Sequence, residues 1–253
     1  GELHLVGVDD DHMIAAIDVR GEARLVLAAQ VVGDDRGEAT DDEAESAREA
    51  AQALNPGCRI ETLTRHLEGE AMAEAVEHVA KTFGRLDGVI NNAGSMIARV
   101  LYEDMTDAQY DKVMDVNARS VLSTTQAAVS HLKREGGFII NTTSVAARTG
   151  GTAGSGVYGS SKAFVAAVTK GMALEFGKYN IRVNAVAPGV ITTPFQDKYA
   201  LPGQLDQVAG SVPLKRTGTP ADCVGAYLFL ASEMLSGYIT GQTIDVNGGQ
   251  FMP

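Results

Sequence analysis

The sequence predicts an α/β protein built on one doubly wound, largely parallel sheet, and three observations predict it. Short aliphatic runs alternate with longer amphipathic stretches. The aliphatic runs lack the polar alternation of a half-exposed strand. Of the 253 residues, 45% are hydrophobic, with no long Gly/Ser/Pro linker between them. Such a pattern calls for helices on both faces of a sheet, and right-handed crossovers then gather the loops after the strands into one crevice. A single domain over 1–253 is expected.

The elements follow in order. An apolar run at 3–8, LHLVGV, is followed by RLVLAAQ (24–30), DDEAESAREAAQAL (41–54), RIETLT (59–64), GEAMAEAVEHVAKTFG (69–84) and DGVINNAG (87–94). A long helical stretch at 107–136 precedes FIINTTS (138–144). Then come the helical stretch 157–180, IRVNAVAPG (181–189) and a last edge strand, TIDVNGG (243–249). Thr106 and Asp107 are placed to cap the long helix, and Gly136-Gly137 to end it. VVGDDRGEAT (31–40) is polar and reads as an enlarged surface loop.

Composition narrows the function. A net charge of −11 and no basic stripe argue against nucleic acid. Cys58 and Cys223 lie far apart, so neither a disulfide framework nor a thiolate zinc site is indicated. No uninterrupted apolar run of about 18 residues predicts a membrane span, no secretory signal is visible, and a cytoplasmic location is expected. Asp9-Asp10-Asp11-His12 could ligate a metal. Adjacent loop carboxylates are more often solvated or capping a helix, so no metal site is expected.

Tyr158 and Lys162 stand four apart in a helical stretch, so both project from one face. An ammonium beside a phenol favours the phenolate and makes the tyrosine a usable acid or base near neutrality. Ser144 ends a strand where its hydroxyl can meet a substrate oxygen, and Asn117 interrupts a helix that would prefer a better helix former. Each feature alone is ordinary; Tyr/Lys pairs at this spacing are common on solvated helix faces.

Together and in order, NNAG (91–94), Asn117, Ser144, Tyr158-x-x-x-Lys162 and APGVITT (187–193) resemble the short-chain dehydrogenase/reductase family, from about Gly84 to Gly249. The resemblance implies a Rossmann-type fold and an oxidoreductase that interconverts a secondary alcohol and a ketone by hydride exchange with NAD or NADP. It implies that Tyr158 handles the proton at the substrate oxygen and that Lys162 binds the nicotinamide ribose and lowers the tyrosine pKa. Ser144 would orient the substrate, and Asn117 would hold a water in a proton relay. Asn92, Ala93 and Gly94 would line the ribose side, and Pro188, Gly189, Ile191 and Thr193 would meet the nicotinamide amide. Residues 193–216 resemble a substrate lid. Ser144 and Tyr158 are one residue further apart than is commonest in the family, an insertion for the Gly-rich loop between them to absorb. The family also implies a small-molecule substrate and a homo-oligomer, tetramer or dimer, through helices 107–133 and 157–177.

The resemblance weakens before residue 84, so 1–83 reads as a divergent dinucleotide half and 84–253 as the catalytic half. A family member opens with a strand, then Thr-Gly-x-x-x-Gly-x-Gly, then a helix that holds the pyrophosphate. At the matching place this chain has VGVDDDHMI, with Gly7 alone surviving. Ala29-Gln30 and Arg65-His66 replace the residues expected around the adenosine. That register predicts a short helix before RLVLAA and millimolar dinucleotide affinity. A rival register puts the phosphate loop in VVGDDRGEA, with Gly33 and Gly37, but leaves little chain for two further strand-helix units. A third treats MIAAIDV-RGE-ARLVLAA as an antiparallel hairpin with no helix. The first is preferred. The intact half argues for an NAD(P)-dependent oxidoreductase. The divergent half argues for a non-redox relative of the same fold, an acid-base enzyme or a binding protein.

Overall fold

The computed structural model describes residues 13–19, 23–29, 60–63 and 70–253. Among the described residues seven strands form one sheet in the order β3-β1-β2-β4-β5-β6-β7. They are β1 (Met13–Val19), β2 (Ala23–Ala29), β3 (Ile60–Leu63), β4 (Gly88–Asn91), β5 (Gly137–Thr142), β6 (Ile181–Pro188) and β7 (Thr243–Val246). From β2 to β7 every neighbouring pair is parallel. The long helices are α1 (Glu70–Phe83), α2 (Asp107–Met114), α3 (Ser120–Glu135) and α5 (Gly156–Phe176), with the short α4 (Ala146–Thr149) before α5. After β6 come α6 (Pro194–Tyr199), α7 (Gln204–Ser211), α8 (Pro220–Ala231) and α9 (Glu233–Ser236).

The central strands β4, β5 and β6 lack polar alternation because both of their faces are covered. Successive side chains of a strand point to opposite faces. Val89 and Ile139 pack with Val76, Val79, Leu132 and Val165 under α1, α3 and α5. Their neighbours Ile90 and Ile140 pack on the other face with Val186, Tyr227 and Leu230, under α8.

The helix ends follow the expected chemistry. Thr106 caps α2 in a reciprocal box with Gln109, and Gly136, at φ 80°, closes α3. Between α2 and α3 the chain widens into one π-helical turn, Asp115–Arg119, with Asn117 at its centre. Such turns recur at functional sites.

The first register of the N-terminal half is corrected. Among the described residues no helix precedes ARLVLAA: Met13–Val19 is a strand that pairs antiparallel with β2, Met13 opposite Ala29, and antiparallel with β3 on its other side. This is the hairpin reading. The strand beside β4 is Ala23–Ala29, with Ala28 opposite Asn91. The expectation of millimolar affinity was drawn from the VGVDDDHMI segment, most of which, residues 6–12, lies outside the described residues. The sheet is therefore mixed at one side, where β1 runs against both of its neighbours. Residues 1–12, with the aspartate triplet and His12, lie outside the described residues, as do 30–59, with the 31–40 loop, Gly33, Gly37, the 41–54 stretch and Cys58.

Candidate active site

The site is built at the carboxyl ends of β4, β5 and β6. β5 ends at Thr142, and the chain runs on through Thr143 and Ser144 into α4; Ser144 Oγ accepts from the Ala146 amide at 3.1 Å. The loop to α5 holds three glycines in the left-handed region, Gly150, Gly151 and Gly154 (φ 80, 79 and 77°), a conformation that side chains disfavour. α5 then presents Tyr158 and Lys162 on one face.

Lys162 is buried, and its Nζ donates to the Thr142 carbonyl at 3.0 Å. Burial pushes its pKa down to about 8. The ammonium lies 5.9 Å from the centre of the Tyr158 ring. Thr143 Oγ1 donates to the Lys162 carbonyl at 2.7 Å and ties α5 to the end of β5.

Asn117 is wholly buried, and its side-chain amide makes three hydrogen bonds. Nδ2 donates to the carbonyls of Ser95 (2.7 Å) and Val113 (2.8 Å), while Oδ1 accepts from the Ser95 amide (3.1 Å). These bonds hold the chain after NNAG. A Cβ on Gly94 would stand 2.6 Å from both Asn117 Oδ1 and Lys162 Nζ, so the backbone there reaches the two polar groups only as glycine.

A cavity of about 470 Å³ opens in front of these groups. Of the residues singled out in the sequence, Asn92, Gly94, Ser144, Tyr158, Lys162, Pro188, Gly189, Ile191 and Thr193 line it. Ala93 and Asn117 do not, and Asn117 lies behind Gly94. Residues 193–216 supply one wall through α6 and α7: the Phe195 ring is 5.6 Å from that of Tyr158 and 4.8 Å from that of Tyr199. Tyr199 OH and Ser95 Oγ share a hydrogen bond at 2.8 Å, which joins this wall to the NNAG segment.

Several lining residues carried no motif in the sequence. Thr142 Oγ1 donates to Asn92 Oδ1 at 2.9 Å and lies 2.6 Å from Tyr227 OH, whose pKa burial raises. Cys223 is buried and free. Arg99 stands five residues beyond the NNAG glycine, and its partners at 152–153, 199 and 204 could not be read locally. Among the described residues no cluster of His, Cys, Asp or Glu could hold a metal ion, and no helix is long and apolar enough to cross a membrane.

A family model described as enoyl-(acyl carrier protein) reductase matches residues 28–250. A 3-oxoacyl-[acyl-carrier-protein] reductase FabG of Thermotoga maritima is 41% identical over 182 residues, 71% of this chain and 72% of its own. The chain belongs to the short-chain dehydrogenase/reductase family. A 3alpha-hydroxysteroid dehydrogenase of Mediterraneibacter gnavus is another similar family member, 37% identical over 207 residues, 81% of each chain. Among solved structures, this short-chain dehydrogenase/reductase is similar to an NADH-dependent reductase A1-R' responsible for alginate metabolism, at TM-score 0.72 and 34% identity over 90% of this chain and 87% of that one. It is also similar to A1-R' complexed with NAD, at TM-score 0.65 and 40% identity over 74% and 72% of the two chains. The chain is thus an oxidoreductase of an NAD(P)-dependent family.

Proposed function

We propose that this chain reduces a ketone, or oxidises the matching secondary alcohol, at the cavity in front of Tyr158. The observation that carries the reading is the buried Lys162 ammonium beside Tyr158, with no acidic partner among the described residues. A cation there stabilises the phenolate and prepares Tyr158 for proton transfer. In the reducing direction the Tyr158 hydroxyl donates its proton to the carbonyl oxygen as negative charge gathers on it. The Ser144 hydroxyl donates a hydrogen bond to the same oxygen and holds it in place. Asn117, its amide committed to the chain at Ser95, acts as a positioning residue for Gly94 and Lys162.

The residues present fit a nicotinamide dinucleotide. Lys162 Nζ uses one N–H on Thr142, and the other two have no partner among the described residues, which suits a ribose diol. The bare backbone at Gly94 lets the chain pass close to Lys162 Nζ, so the cavity-lining Gly94 and the ammonium stand side by side. When bound, the nicotinamide supplies or accepts the hydride. Asn92 and Gly94 would hold its ribose side, with Ala93 beside them in the chain. Pro188, Gly189, Ile191 and Thr193 would hold its amide. The experiment is a titration of the purified chain with NADH and NADPH by nicotinamide fluorescence, followed by turnover of a panel of ketones. Binding of one dinucleotide and its oxidation by a ketone are expected. Failure of both dinucleotides to bind at about 1 mM would overturn the reading.

We further propose a homo-oligomer assembled through the long helices. On α5, Leu174 is 87% exposed and Phe164 is partly exposed, an apolar surface suited to helix packing against a second copy. Sedimentation should give at least twice the chain's mass at micromolar concentration, and a monomer there would refute it.

A further inference from the structure

The chain holds 32 acidic residues against 21 basic ones, yet among the described residues its cavity is lined by two cations and by no aspartate or glutamate. One cation, Lys162, sits by Tyr158. The other is Arg99, and its place is elsewhere. Its guanidinium is set against the lid and the loop before α5: Nε donates to the Tyr199 carbonyl (2.6 Å), and Nη1 donates to Thr152 Oγ1 (3.0 Å) and the Ala153 carbonyl (2.9 Å). Nη2 donates to Gln204 Oε1 (3.2 Å).

All four acceptors are neutral. Arg85, Arg119, Arg148, Arg182 and Arg216 each hold a carboxylate; among the described residues Arg99 and the exposed Arg134 hold none, and of these two only Arg99 lines the cavity. Burial depresses its pKa, which marks a charge partly withdrawn from water, although an arginine stays protonated. A half-buried cation without a counter-charge is costly, and an anion brought into the cavity removes that cost. One N–H of Nη2 has no partner among the described residues, and the other makes the longest of the four bonds, to Gln204. The free N–H can donate to one oxygen of a carboxylate, a charge-assisted bond that adds to the attraction between opposite charges.

We propose that Arg99 selects substrates that carry a carboxylate, so that the compounds turned over are oxo acids and their hydroxy-acid partners rather than neutral ketones. This rests on the reductase reading above and names the substrate class of that same cavity. Arg99 is a specificity residue under this proposal. The competing account is that it only ties the lid to the loop before α5.

The test compares kcat/KM for short oxo acids of increasing chain length with that for their primary amides, which keep the shape and lose the charge. The wild-type chain should favour the best acid over its amide by roughly 10- to 100-fold, the worth of a hydrogen bond to a charged group. Arg99→Gln should bring that ratio close to one, and Arg99→Lys should keep part of it. A purely mechanical tie would lower both rates together and leave the ratio unchanged. Equal use of acid and amide by the wild type, or an unchanged ratio in Arg99→Gln, overturns the proposal. Turnover of neither compound, with dinucleotide bound, overturns the reductase reading on which it rests. Should Arg99→Gln fail to fold, Arg99→Lys and the wild-type ratio still decide.

Discussion

Tyr158→Phe should leave a folded protein whose turnover has dropped by 10²-fold or more. The substitution deletes one hydroxyl. The ring that contacts Phe195 at 5.6 Å remains, so the cavity wall keeps its shape. What disappears is the proton donor at the substrate oxygen, and general acid-base catalysis is worth about 10²- to 10⁴-fold. Steady-state kinetics with the best ketone, beside a melting curve, separates the two effects. Activity within a few-fold of wild type would move proton transfer to another group.

Lys162→Met should have two effects of opposite sign: a more stable protein and a nearly inactive one. Burial holds the lysine at about 8 instead of 10.5, so the folded state resists its charge. At neutral pH the charge is carried in both states, and the folded state is penalised by about 3 kcal/mol on that shift. Methionine fills the same space without a charge, and its Tm at pH 7 should rise by several degrees. The sign can be checked across pH. Between about 8 and 10.5 the unfolded chain binds more protons at this residue than the folded one, so the wild type gains stability as pH rises through that window. Its deficit against Lys162→Met should therefore shrink from pH 8 to 10.5 and stay constant below 8. A variant less stable than wild type at pH 7 would show that the Thr142 bond outweighs the burial penalty. Turnover should fall by at least 10²-fold, because the phenolate loses its cation.

The catalytic half was legible because its signals are local. Thr106, Gly136 and the apolar runs at 88–91, 137–142 and 181–188 announce their own conformations through capping, chain reversal and hydrophobic patterning. Tyr158 and Lys162 meet because a helix turn brings residues four apart together. The N-terminal half was less legible because MIAAIDV is a seven-residue, mostly apolar run, too short for its periodicity to distinguish a strand from a buried helix. Pairing with Ala23–Ala29 on one side and Ile60–Leu63 on the other decided it, and no local rule reports such pairing. Arg99 escaped for the same reason, since its partners are 53 to 105 positions away. Asn117 was visible as an odd residue for a helix, whereas the π-helical turn around it was not.

The antiparallel pairing of β1 with β2 also bears on how the sheet assembles. Only residues 20–22 separate those strands, so their first contacts close a very short loop, and hairpins of this kind form in microseconds. The parallel pairs are remote: Asn91 waits for Asn141, fifty residues on, across a helical crossover. Non-local parallel pairing is slow because the loop entropy is lost before the contacts compensate it. The hairpin thus offers β2, already backed by β1, as a ready edge on which β4 can dock, and the crevice beside Asn91 takes shape as that docking completes.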